Sequence, residues 1–304
     1  MVRIRLIKYK VVRDFIRFTK KIILPGFDGM PLWDVAVFFF QGVTKGSVTS
    51  RASSIAFSFF LAVFPMIIVF FTLIPFIPIS GFHDQLMEII MNVTPDSAEV
   101  IIIQTVEDII NRPRGGLLSV TFVMALIFAT NGFDSVIEAF NNTYHTMESR
   151  SWIKQKLVSI LLFFIISLIV IICITLIIGG TFVLKFLVDN NLIGSGIEYY
   201  LLEIVKYIVL ASMFFFTISF IYYLAPTRDS KFRFISAGSS LATFLALAAS
   251  IGFNFYIQNF SSYNALYGSI GTLLIILVWI YFNSIILLIG FELNASIQSA
   301  RKNK

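Results

Sequence analysis

The chain has 304 residues, 13% of them charged and 58% hydrophobic, with 34 Phe, 8 Pro, one Cys and a formal net charge of +6. Soluble globular proteins average about 25% charged and 45–50% apolar residues, so this composition excludes most enzyme classes that a soluble chain would invite. Its lone Cys173 excludes a disulfide framework and a cysteine-based metal site.

The apolar residues gather in runs of about 20, long enough to cross roughly 30 Å of hydrocarbon as a helix. The runs are apolar on every face, unlike the alternating strands of a barrel. The expected fold class is therefore an all-α membrane protein: a six-transmembrane-helix bundle with an N-terminal basic amphipathic interfacial helix and short outer-face helices between spans 1 and 2. Residues 1–31 form the interfacial segment, 32–298 the six-span membrane domain and 299–304 a basic tail.

Residues 3–24 read as a basic amphipathic helix. Ile4, Ile7, Val11, Phe15, Phe18 and Ile22 recur at spacings of three and four, while Lys10, Arg13, Arg17 and Lys20 mark another face. Such a helix lies in the membrane interface with its cations near lipid head groups, or serves simply as a topology anchor. The Pro25-Gly26 and Gly29-Met30-Pro31 turns are expected to end it. A second amphipathic segment covers 32–43. No cleavable signal peptide is expected, because about 50 basic and mixed residues precede the first full span.

Span 1 is expected at 53–76, kinked at Pro65, which lacks an N–H to donate. Residues 80–114 read as two short amphipathic helices on the outer surface. Span 2 runs over 117–133 with its helix continuing to Asn141, span 3 over 157–184 and span 4 over 204–224, before Pro226. Span 5, 234–257, is rich in Ala, Gly and Ser, which let helices approach closely in lipid. Span 6 is 270–297.

Loop charge orients these spans. The first 51 residues hold ten Lys and Arg; the segment between spans 1 and 2 holds two, against six acids. Arg150, Lys154 and Lys156 follow span 2, and Arg228, Lys231 and Arg233 follow span 4. Only Lys185 and Lys206 edge the loop after span 3, none lies between spans 5 and 6, and the tail carries Arg301, Lys302 and Lys304. Positive-inside then puts both termini in the cytoplasm with six crossings. The same distribution accounts for the basic pI without a nucleic-acid partner.

Several polar residues stand out against this background. Asn131, Asp134, Glu138 and Asn141 fall on one face of one helix at the cytoplasmic end of span 2. They read as the mouth of a polar pathway or as the solvated face of a helix leaving the membrane. Glu292 is the one acid within span 6, and charges inside spans usually face a cavity or a partner. It could equally meet water, Arg51 or Arg150. Asn283 and Trp279 share a face of span 6, where Asn283 could hydrogen-bond another helix. Ser53, Ser54 and Ser58 near the start of span 1 line the same inner vestibule or satisfy backbone carbonyls.

The motifs resemble a known group. Ala52-Ser53-Ser54-Ile55-Ala56-Phe57 through Pro65, the Asn141–Arg150 loop with Tyr144 and Glu148, and Tyr222-Tyr223-Leu224-Ala225-Pro226 are similar to the YihY/virulence factor BrkB family. So are Tyr267-Gly268-Ser269-Ile270-Gly271, Trp279, Tyr281 and Gly290-Phe291-Glu292-Leu293-Asn294-Ala295; together they cover roughly 32–298. The resemblance implies a six-span inner-membrane protein whose activity is poorly defined. The family has carried the label ribonuclease BN, but hydrolytic RNA cleavage needs a metal-held water or a paired acid and base. The two histidines, His83 and His145, fall on opposite sides of the expected membrane, and neither has a carboxylate cluster of metal spacing.

No P-loop or other cofactor motif is present, so neither a metal nor a cofactor is expected. The leading expectation is a transporter or lipid-translocating protein working without nucleotide hydrolysis, with membrane lipids and an unidentified small molecule or lipid as partners. The alternative is a non-transporting scaffold or envelope-assembly factor. A membrane-embedded enzyme ranks below both.

Overall fold

The structure is a computed structural model that describes residues 10–73, 115–143, 150–190, 197–227, 233–259 and 269–302. Among these, the helices are α1 (Lys10–Thr19), α2 (Leu32–Lys45), α3 (Val48–Leu73), α4 (Gly115–Asn141), α5 (Trp152–Asp189), α6 (Ile197–Leu224), α7 (Ala237–Asn259) and α8 (Ser269–Lys302). No strand occurs among the described residues. The expected outer-face helices of 80–114 lie outside them.

Six of the helices, α3 to α8, are long and apolar enough to cross a membrane. Their outward surfaces carry large apolar side chains, such as Leu161, Phe164, Leu168 and Ile171 along α5. In water such a surface would drive aggregation; in hydrocarbon it is the favoured solvent, and the helix satisfies its own backbone polar groups.

The spans reach beyond the apolar runs that announce them. Span 3 begins at Trp152 rather than 157, taking Lys154 and Lys156 into its first turns. The helix of span 4 begins at Ile197 rather than 204, and that of span 6 continues to Lys302. Straight-chain polar residues lose little rotamer freedom in a helix, so leaving the hydrocarbon does not end the helix. Span 5 starts later than expected, at Ala237, because Ser236 caps it. The Ser236 Oγ accepts from the Ser239 N–H at 3.1 Å and the Ser239 Oγ accepts from the Ser236 N–H at 3.1 Å, a reciprocal capping box. In α3, Pro65 sits inside a helix that continues to Leu73.

The described chain divides into two compact units, one of residues up to Ala56 with those from Phe133 onward, the other Phe57–Gly132. The second holds the remainder of α3 and α4. Within it a Cβ on Gly132 would lie 2.8 Å from the Phe59 ring, so the glycine lets the two helices touch. Its threonines return their hydroxyls to their own helices, Thr121 to Leu117 O at 2.7 Å and Thr72 to Ile68 O at 2.8 Å.

In the first unit, α8 packs against α7 and α2, and α6 packs against α5 and α7. The α2 helix is not a span. It follows the extended Pro31, and its Val35 joins Phe27, Met30, Ile297 and Ala300 in a buried cluster flanked by Leu32, Phe38 and Leu293. The N-terminal segment is thereby fixed to the last turns of α8.

The amphipathic α1 ends at Thr19, five residues short of the expected end at Leu24. Lys21 and Ile22 close tight i→i−3 bonds to Phe18 O and Thr19 O, and the chain then straightens so that Ile22 O accepts the Leu32 N–H at 2.9 Å. Pairing across the turn thus replaces the last helical turn. Arg13, Arg17 and Lys20 are exposed, as is Phe18 beside them, while Thr19 faces the protein.

Candidate functional site

Elements distant in sequence meet at one end of the first unit. The start of α3, the end of α4 and the end of α8 are joined through Arg51. Its Nη1 donates to Ala139 O at 2.7 Å, and its Nη2 makes a short hydrogen-bonded ion pair with Glu292 Oε1. The Glu292 side chain is fully buried and that of Arg51 is 10% exposed. Two atoms of the pair, Arg51 Nε and Glu292 Oε2, are buried without a hydrogen-bond partner among the described residues.

The sequence neighbours of these residues form an aromatic cluster. Phe140 of α4 stacks on Phe291 of α8 with centroids 4.0 Å apart and planes 4° from parallel. Tyr222 of α6 meets both rings edge-on, at 5.7 Å and 6.0 Å, in the favourable quadrupole geometry. Its hydroxyl, buried with the ring, donates to Leu287 O at 2.6 Å. Burial weakens screening, so the Arg51–Glu292 attraction is stronger there than at a surface.

Next to it α7 and α8 come into backbone contact. A Cβ on Gly238 would overlap the Gly290 carbonyl oxygen and lie 2.6 Å from Asn294, while one on Gly290 would sit 2.7 Å from Ala242 Cβ. That proximity lets Asn294 Oδ1 accept the Gly238 N–H at 2.8 Å while its Nδ2 donates to Ser236 Oγ at 2.9 Å. The Gly290–Asn294 block therefore places a contact glycine, a stacking ring, a buried acid and a cap for another helix within about one turn and a half.

Three further connections tie the same end together. Asp134 on α4 bridges to α5, accepting from Lys156 Nζ at 2.7 Å and, in a short bond, from Ser159 Oγ. Buried Asn141 accepts the Thr227 N–H at 3.3 Å, linking the ends of α4 and α6. Arg150 caps α6 by donating to Leu224 O at 3.3 Å and, more closely, to Pro226 O. A cation there also complements the negative end of the helix dipole. Burial lowers the Arg150 pKa from the ordinary guanidinium value.

The sequence-predicted residues thus fall into two sets. Glu292, Asp134 and Asn141 are drawn into contacts between helices, and Glu292 meets Arg51 rather than Arg150. Asn283 donates to Trp279 O of its own helix at 2.9 Å instead of to another helix. Asn131, Glu138, Ser53 and Ser54 are exposed, Ser53 returning its hydroxyl to Thr49 O at 3.0 Å. Of the interfacial cations, Arg13, Arg17 and Lys20 are exposed; the Lys10 side chain lies outside the described residues, as do His83 and His145.

Sequence reasoning missed Lys156, Ser159, Gly238 and Asn294 as members of this end. Ser236 and Ser239 at capping spacing ahead of an apolar run offered a signal for the start of α7. Among the described residues no group of three or more His, Cys, Asp or Glu is placed to hold a metal ion.

A sequence model of the family described as Virulence factor BrkB matches residues 39–304. The chain is 28% identical to the Bacillus subtilis (strain 168) protein YfkH, named ribonuclease-like, over 86% of this chain and 94% of that protein. It is 24% identical to a UPF0761 membrane protein of Aggregatibacter aphrophilus (strain NJ8700), over 88% of this chain and 92% of that one. With a UPF0761 membrane protein of Haemophilus influenzae (strain 86-028NP) it shares 23% identity over 88% and 96%. No solved structure matches the chain.

Proposed function

This chain belongs to the virulence factor BrkB family, and from that premise we propose that it moves or reorients a lipid or small polar molecule across the bacterial inner membrane without hydrolysing nucleotide. The observation that carries the reading is the Arg51–Glu292 pair, buried between apolar helices with one nitrogen and one oxygen unsatisfied. Ionisable groups within spans are costly and by default mark functional pathways. An unsatisfied buried polar atom calls for a further partner, such as a water or a passing polar group. A protein that only anchored its ends would gain more from an apolar pair of the same volume.

In this reading the end of the molecule that gathers Arg51, Arg150, Lys154, Lys156, Arg233, Arg301 and Lys302 faces the cytoplasm, with both termini. Glu292 and Asp134 guard the inner mouth, exposed Ser53, Ser54 and Glu138 line its approach, and Asn141 braces it. Arg13, Arg17 and Lys20, with Lys10, rest on lipid head groups. A scaffold is the second reading, favoured by one observation: Asp134, Asn141 and Asn294 are engaged in fastening helices to each other.

Reconstitution in liposomes separates them. Lipid-flip and solute-flux assays should show transport by wild type that falls about tenfold or more in Glu292→Gln, while Lys45→Gln stays near wild type and both variants remain monodisperse. Wild-type protein that moves no lipid or solute under any imposed gradient would sink the transport reading and leave the scaffold.

A further inference from the structure

A second polar site lies on the face assigned above to the cytoplasm. The turn after α1, the segment leading into α7 and the last turns of α8 enclose a cleft of about 80 Å³ lined by Asp28, Arg233, Ser236, Asn294, Gln298 and Arg301, with apolar Ile235 and Ile297 beside them. The turn is shaped for this position. Gly26 and Asp28 hold positive φ angles of 85° and 53°, and a Cβ on Gly26 would press to 3.3 Å from Ala237 Cβ, so the glycine lets the turn reach the start of α7.

We propose that this cleft binds a phosphate-bearing anion, its two guanidinium groups clasping the phosphate oxygens and its apolar rim accommodating what the phosphate is attached to. Planar guanidinium forks match phosphate oxygens in pairs, and basic pockets on the cytoplasmic side of helical membrane proteins hold lipid head groups. The recognition rests on Arg233 and Arg301 rather than on the N-terminus of α7, whose Gly238 and Ser239 amides already donate to Asn294 and Ser236. Arg233 is 72% exposed and meets Asp28 at 3.1 Å, a pair that positions it while leaving other donors open. Among the described residues Asp28 is the one acid lining the cleft, and its charge opposes part of the arginines' attraction for an anion. The site stands whether or not anything crosses the helices.

The phosphate could come from a lipid head group in the adjoining leaflet or from a soluble phosphate compound, and the test distinguishes them. Full-length protein in zwitterionic detergent would be titrated with phosphatidylglycerol, with phosphatidylcholine and with inorganic phosphate, reading bound adducts by native mass spectrometry and thermal stability in parallel. The expected result is retention of phosphatidylglycerol over phosphatidylcholine, weakened about tenfold or more in Arg233→Gln/Arg301→Gln. The exposed pair Lys21→Gln/Lys45→Gln serves as the charge control and should keep the retention.

Asp28→Asn should strengthen binding, a gain that loss of folding would not imitate. Saturable stabilisation by inorganic phosphate with no lipid preference, lost in the arginine variant, assigns the cleft to soluble phosphates instead. Binding of both ligands that is unchanged in the double-arginine variant overturns the proposal, as does an absence of binding by monodisperse wild type.

Discussion

Glu292 is fully buried and Arg51 nearly so, which makes their pairing a conditional kind of stability. Removing one member strands the other charge and costs about 3–5 kcal/mol, whereas replacing both with apolar groups of similar volume is often neutral or stabilising. Glu292→Ala and Arg51→Ala are each expected to lower the thermal midpoint in detergent substantially, and Arg51→Met/Glu292→Met to recover most of the loss. Strictly additive losses in that double-mutant cycle would show that the two groups are not coupled. Asn294 acts more modestly. Asn294→Ala deprives α7 of an amide acceptor and should cost about 1 kcal/mol, as other cap deletions do. Asn294→Asp keeps the acceptor for the Gly238 N–H and should retain most of it by the same measurement.

At the scale of elements, the α7–α8 crossing is decided by two glycines. Gly238→Ala pushes a methyl group into the Gly290 carbonyl and Asn294, so the helices must separate; overpacking of this kind costs about 1–3 kcal/mol. Gly252→Ala, on the same helix, meets nothing within 4 Å and should be neutral or slightly stabilising. Equal midpoints for the two variants would mean that the close crossing does not hold in solution. The contrast also marks what could be read before the fold was known. A span such as α5 announces itself by length and apolarity, because those are what the bilayer selects. Small residues in 234–257 signalled close packing, but not which glycine touched which helix, since that depends on a neighbour more than fifty residues away. Glu292 was legible as an oddity and Arg51 as one of its candidate partners. Lys156 was read only as loop charge, because nothing in its spacing reveals that helix α5 begins early enough to bring it to Asp134.

For the whole molecule, the distribution of cations gives a topology that chemistry can check. In a Cys173→Ser background, Asn142→Cys beside the arginine-rich end and Asn190→Cys beyond the far end of α5 both place a thiol at an exposed position. A membrane-impermeant maleimide added to spheroplasts should label the cysteine at 190 directly and the one at 142 only after lysis. The reverse pattern would invert the protein. The buried cluster of Phe27, Met30 and Val35 with Ile297 and Ala300 joins the beginning of this sequence to its end. During synthesis the residues at 27 and 30 emerge first, yet their cover is made last. Until α8 has been threaded into the membrane, those side chains have only lipid or a chaperone to shelter them, and closing so long a loop comes late in assembly. Nascent chains stalled before residue 290 should therefore remain open to protease between 20 and 31, and release of the finished chain should close that window. Docking of residues 27–35 then serves as a record that α8 has gone in.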